Sequence, residues 1–161
     1  MTVTPLPPTS DPIALLQSAL ASLDIAADWV GMRMMREESV YRSQRDGKPE
    51  GNERSLNQGV MVEVLVQGQM GYAATHRLTV DGLRQAAAQA FQQAQAAVPW
   101  QIYPFQTDIR PSVQGGYRSP VKQPLHTLTA AHAHELLARI CAGLKVSDKL
   151  VQASASITAT A

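Results

Sequence analysis

Cysteine is nearly absent from this sequence: Cys141 stands alone among 161 residues. An internal disulfide is therefore excluded, and with it any scaffold in which cross-links replace a core. A single free thiol fits a reducing compartment. Aromatics are scarce at 5%, which argues against the stacking platforms that hold single-stranded nucleic acid. Charge is sparse as well, at 17% of residues with a formal net charge of +1. That balance supplies no electrostatic case for phosphates, so nucleic acid is not an expected partner. The uninterrupted apolar runs are too short to cross a bilayer. The opening residues have neither the basic nor the apolar region of a secretory signal. These absences together read as a cytoplasmic chain with no membrane partner.

What is present suits one globular domain. The length is that of a single domain, and 45% hydrophobic residues are enough for a real core. Residues 1–9, with three prolines and three threonines, read as a flexible leader; residues 10–161 read as the folded part. Ser10 or Asp11 can cap a helix that carries Ile13, Leu16, Leu20 and Leu23 at helical spacing and ends near Ala26. Alternation from Trp29 to Met35 predicts a strand, and Val40 to Arg45 a second. Glu37-Glu38 between them read as a polar turn. Asp46-Gly47 signals a turn, extended as a loop by residues 48–52, and a short third strand covers Glu53 to Leu56.

The clearest strand opens at Gly59, with Val60, Val62, Val64 and Val66 on one side. Gln67-Gly68 makes a tight connection to a return strand on which Met70, Tyr72 and Ala74 share a face. Thr79 caps a helix striped with Leu83, Ala86, Ala87, Ala90, Phe91, Ala94, Ala97 and Val98, ended by Pro99. Five prolines and Gly115-Gly116 make residues 99–124 a long irregular connection. A third helix is expected from Leu125 to Leu144, with Ala133, Leu136, Leu137, Ile140, Cys141 and Leu144 on one face. Alternation from Val151 to Ala159 predicts a last strand. The expected class is α+β: a largely antiparallel sheet with helices packed on one face.

This order, and the text Gly59-Val-Met-Val-Glu-Val-Leu-Val-Gln-Gly-Gln-Met-Gly71-Tyr-Ala-Ala-Thr75 followed by Leu78-Thr79, resembles the amino-terminal domain of the TldD/PmbA (modulator of DNA gyrase) family. Asp28-Trp29 up to Arg33 is similar to the family's first strand, and Tyr117-Arg-Ser-Pro120 to a later loop. Two positions depart from the pattern: Glu63, where members usually carry arginine, and Gln67, where an acidic residue is frequent. The resemblance implies a metallopeptidase-related protein that takes part in peptide maturation and proteolysis. It places the zinc ligands in a catalytic carboxy-terminal domain that would follow this one, so no cofactor is expected here. It also implies a homo- or hetero-dimer with a TldD/PmbA-type subunit, and a cleft holding peptide substrate as an extended strand. The expected function is a non-catalytic amino-terminal domain that helps build that cleft and the subunit interface. The alternative is a non-enzymatic partner or regulatory interaction protein.

No residue pattern in the chain itself supports catalysis. His132, His134 and Glu135 tempt a zinc reading, but a zincin helix needs a second histidine four residues after the first, and that position is Ala138. Solvent-facing helix histidines are the simpler account. Cys141 falls on an apolar helix face, where a thiol is inert. Arg33, Arg36, Arg42, Arg45 and Arg54 interleave with acids and read as a solvated mixed face. Neither catalytic nor metal-binding residues are assigned. The binding candidates are Gly71, Tyr72, Ala73, Ala74 and Thr75, whose small side chains leave room for another backbone or for the following helix.

Overall fold

The computed structural model describes residues 11–110 and 112–161. The proline-rich leader therefore lies outside the described residues. The elements run α1 (Pro12–Ala21), β1 (Trp29–Arg45), β2 (Lys48–Val66), β3 (Gln69–Thr75), α2 (Val80–Ala97), α3 (Ala130–Leu144) and β4 (Ser154–Thr160). The strands hydrogen-bond in the order β3-β2-β1-β4. The fold is the expected α+β class, an antiparallel sheet with helices packed against it.

Two tight hairpins set the sheet. Asp46 and Gly47 take φ of 49° and 77°, and Gln67 and Gly68 take 46° and 77°. Paired positive φ values are the pattern of two-residue turns whose twist matches that of the strands. Glutamine enters this region reluctantly. Here its backbone amide donates to Asp28 Oδ2 at 2.6 Å, which holds the turn in place.

The described residues divide into two compact units, residues 11–35 with 58–110 and 112–117, and residues 36–57 with 118–161. In the first unit, Val60, Val62 and Val64 are at most 1% exposed and meet Leu83, Ala86, Ala87, Ala90 and Ala94 of α2. Burying each valine is worth about 1.5–3 kcal/mol, so this seam dominates the unit's stability. Ala19 of α1 closes the cluster, with Leu15 and Leu16 against it. The helix stops at Ala21, short of the expected Ala26. Both the hydroxyl and the amide of Ser22 bond back to the Ala19 carbonyl and close the last turn.

In the second unit, α3 buries Ala133, Leu137 and Cys141. The helix begins at Ala130 rather than Leu125, because the Thr129 side chain accepts from the His132 amide at 3.2 Å and sets the first turn there. Residues Leu125–Thr127 form only a 3-10 turn. Ile140 and Leu144, expected on the buried face, are 43% and 46% exposed. β4 starts at Ser154, three residues later than expected, and pairs antiparallel with β1 from Arg45↔Ser154 to Ser39↔Thr160.

The expected strands merge. Glu37-Glu38 is not a turn but the middle of β1, where Glu38 pairs with Arg54. Residues 48–52 are not a loop but the start of β2. Gly51 is tolerated there because the Tyr41 ring and Ser43 hydroxyl occupy the space a side chain would take.

Candidate peptide-binding face

The five candidate residues divide between the two faces of β3. The register pairs Glu63 with Tyr72, Val64 with Gly71 and Met61 with Ala74. Gly71, Ala73 and Thr75 therefore lie on the side of the valines, toward α2, while Tyr72 and Ala74 share the other side with Met61 and Glu63. Gly71 is buried, and the space a Cβ would need is taken by the Ala90 carbonyl. Its smallness thus serves the close approach of α2. Ala73 packs against the same core, and the Thr75 hydroxyl accepts from the Arg77 amide at 3.1 Å. Along the strand, the Tyr72 amide donates to Gln93 Oε1 at 3.2 Å, so α2 also occupies a backbone donor of β3. Tyr72, 46% exposed, and the exposed Ala74 remain open to a ligand.

The face opposite α2 carries residues the sequence reading did not single out as a group. Trp29 lays its indole over Gly31, filling the space of the missing side chain. Arg110 places its guanidinium 5.3 Å from the centroid of the Trp29 ring and donates to Glu63 Oε2 at 3.0 Å. Stacking of guanidinium on indole and pairing with carboxylate are contacts arginine makes better than lysine. Leu65, only 1% exposed, lines a shallow open depression with Asp28, Phe105, Gln106 and Thr107. Strand alternation places Glu63 beside Tyr72. No local signal points to Arg110, which stands 47 residues away in a loop.

The histidines do not form a metal site. Among the described residues no group of three or more His, Cys, Asp or Glu side chains could hold a metal ion. His132 is exposed. His134 is a correction to the solvent-facing reading: it is half-buried, and the Gln44 amide reaches both its Nδ1, at 3.1 Å, and its carbonyl, at 2.9 Å. Cys141 is 2% exposed with its Sγ 3.9 Å from the Gln44 carbonyl, the setting of an inert thiol.

The arginines follow the mixed-face reading with one exception. Arg45 pairs with Glu50 at 3.0 Å and Arg54 with Glu38. Arg42 is instead buried, and its Nη1 donates to the Tyr41 and Glu53 carbonyls at 2.8 Å. The Asp46 carboxyl is held below its ordinary range. The Ala153 amide, which it accepts at 3.0 Å, is the main cause, followed by the charge of Lys145 at 3.5 Å.

The fold is that of an α+β domain in whose described residues no group of three or more His, Cys, Asp or Glu could hold a metal ion. Residues 32–94, from β1 into α2, match the family model of the PmbA/TldA metallopeptidase domain 1. That stretch, less than half of the chain, is what resembles the first domain of PmbA/TldD metallopeptidases. Two solved structures share its fold. One is a candidate modulator of DNA gyrase from Bacteroides thetaiotaomicron, with TM-score 0.61, 13% identity, and coverage of 91% of this chain and 33% of that one. The other is TldE from Thermococcus kodakarensis, with TM-score 0.56, 12% identity, and coverage of 91% and 32%. The chain thus spans about a third of the length of the structures it matches. No curated protein matches it.

Proposed function

We propose that this chain is the non-catalytic first domain of a TldD/PmbA-type metallopeptidase, and that it contributes a peptide-binding face and part of a subunit interface. The observation that carries the reading is the face of β2 and β3 turned away from α2. It presents Tyr72 and Ala74 beside Met61 and Glu63 on a rigid, well-packed hairpin. An extended apolar peptide fits such a surface, since a short flat side chain and an aromatic ring give contact area without demanding one sequence. Hydrolysis would belong to a separate metal-bearing region, and the working environment would be the cytoplasm. No helix among the described residues is long and apolar enough to cross a membrane.

A subunit partner is supported by the exposed apolar side chains of residues 100–110 and 112–117. Trp100, Ile102, Tyr103, Val113 and Tyr117 are 74–99% exposed there. So many exposed large apolar groups in one segment are the mark of an interaction surface. The partner this reading assigns is a TldD/PmbA-type subunit, the same chain or a related one. Co-purification of the tagged chain with a full-length family subunit tests it. Stable co-elution supports the interface, and a monodisperse monomer in the presence of excess subunit removes it.

A further inference from the structure

We propose that residues 101–110 form a displaceable strap over the second face of the first unit's sheet, latched by Arg110 between the Trp29 indole and the Glu63 carboxylate. The argument starts from burial. Every residue from Gln101 to Asp108 is exposed, including Ile102, Tyr103, Pro104 and Phe105. Apart from the Phe105 ring, 45% exposed, the segment buries little apolar surface of its own, and segments of that kind open locally at low cost. It is pinned by a few polar contacts. The Phe105 amide donates to the Gly68 carbonyl at 2.9 Å, Gln69 Nε2 to the Tyr103 carbonyl at 3.5 Å, and Arg110 Nη1 to Glu63 Oε2 at 3.0 Å. The Arg110 guanidinium lies 5.3 Å from the Trp29 centroid, so one side chain ties the loop to both β1 and β2.

What the strap covers differs in character from the strap itself. Leu65 is 1% exposed and lines an open depression together with Phe105, Gln106 and Thr107 of the strap. Opening exposes Leu65 and frees Glu63, the direct cross-strand neighbour of Tyr72. The strap thus controls how much of the face beside Tyr72 is available. That consequence rests on the peptide-binding reading, whereas the latch itself does not. Both side chains of the ion pair are more than a quarter exposed, so salt weakens the latch.

Amide hydrogen exchange and Trp29 fluorescence test the latch in the full chain, in a Trp100→Phe background that leaves Trp29 as the sole indole. Arg110→Ala and Glu63→Gln are expected to speed exchange of the Phe105 amide by about tenfold or more, leave the Val62 and Val64 amides protected, and raise acrylamide quenching of Trp29. The paired reversal Glu63→Arg with Arg110→Glu is expected to restore part of the Phe105 protection. Unchanged Phe105 exchange in both single variants would overturn the strap, as would equal loss of protection at Phe105 and Val64. Binding of reduced, carboxymethylated lactalbumin is measured in parallel. Latch signals that move as expected while no binding is seen in any variant would leave the strap standing and remove the peptide reading instead.

Discussion

The carbonyl of Ala90 on α2 occupies the space that a side chain at Gly71 would need. The neighbour is helix backbone, which cannot swing aside as a side chain could. Gly71→Ala should therefore force α2 away from β3 and cost about 1–3 kcal/mol or more. Ala74→Ser, on the open face two strand positions and one residue away, should stay within about 0.5 kcal/mol. Urea denaturation of the two variants checks the contrast.

Asp46 grips Ala153 through both backbone polar groups. Its amide donates to the Ala153 carbonyl at 2.7 Å, and its carboxylate accepts from the Ala153 amide at 3.0 Å. The folded carboxyl titrates below its ordinary 3.8, chiefly through that amide. A depressed folded pKa contributes stability above the unfolded value, and that contribution is lost as pH falls through the folded one. Asp46→Asn keeps an acceptor and suits the left-handed turn, so it should retain most of the stability while losing this pH dependence. Asp46→Ala should melt lower than either at neutral pH. Thermal melts from pH 7 down to below the ordinary carboxyl range separate the three proteins.

The N-cap of α3 is a single hydroxyl, Thr129 Oγ1 on the His132 amide. Thr129→Ala should destabilise the second unit by about 1 kcal/mol, and Thr129→Asp should recover it. The difference is read from urea midpoints.

Cys141 offers a probe of the same unit. At 2% exposure it should react with Ellman's reagent far more slowly than in urea. The native rate should rise in the Thr129→Ala variant, since local opening of α3 is what admits the reagent. Immediate full reaction of the native chain would contradict the burial of the thiol.

Legibility in the sequence followed the range of the interactions. The β2–β3 hairpin and the α2 stripe were readable because alternation, a Gln-Gly turn and an i, i+3, i+4 pattern are local. The strand breaks expected at Glu37-Glu38 and residues 48–52 were local readings overruled from a distance. Arg54 compensates Glu38, and Tyr41 fills in for the missing side chain of Gly51. His134 and Arg42 were read as solvated because nothing nearby in sequence announces Gln44 or the Glu53 carbonyl as partners. The candidate segment 71–75 was half legible. Alternation separates Tyr72 and Ala74 from Gly71, Ala73 and Thr75, yet only the packed helix shows which set stays open. Glu63 departs from the pattern of the family that the chain resembles, but nothing near it in sequence points to its partner Arg110.

The central claim is that the chain contributes a surface for extended peptides and leaves chemistry to another region. Amide chemical-shift mapping during titration with reduced, carboxymethylated lactalbumin tests it most directly. The account predicts saturable shifts clustered at Met61, Glu63, Tyr72 and Ala74, with the lactalbumin left intact in the presence of added zinc. Saturation without shifts at those four residues, or zinc-dependent cleavage by the chain alone, would contradict it.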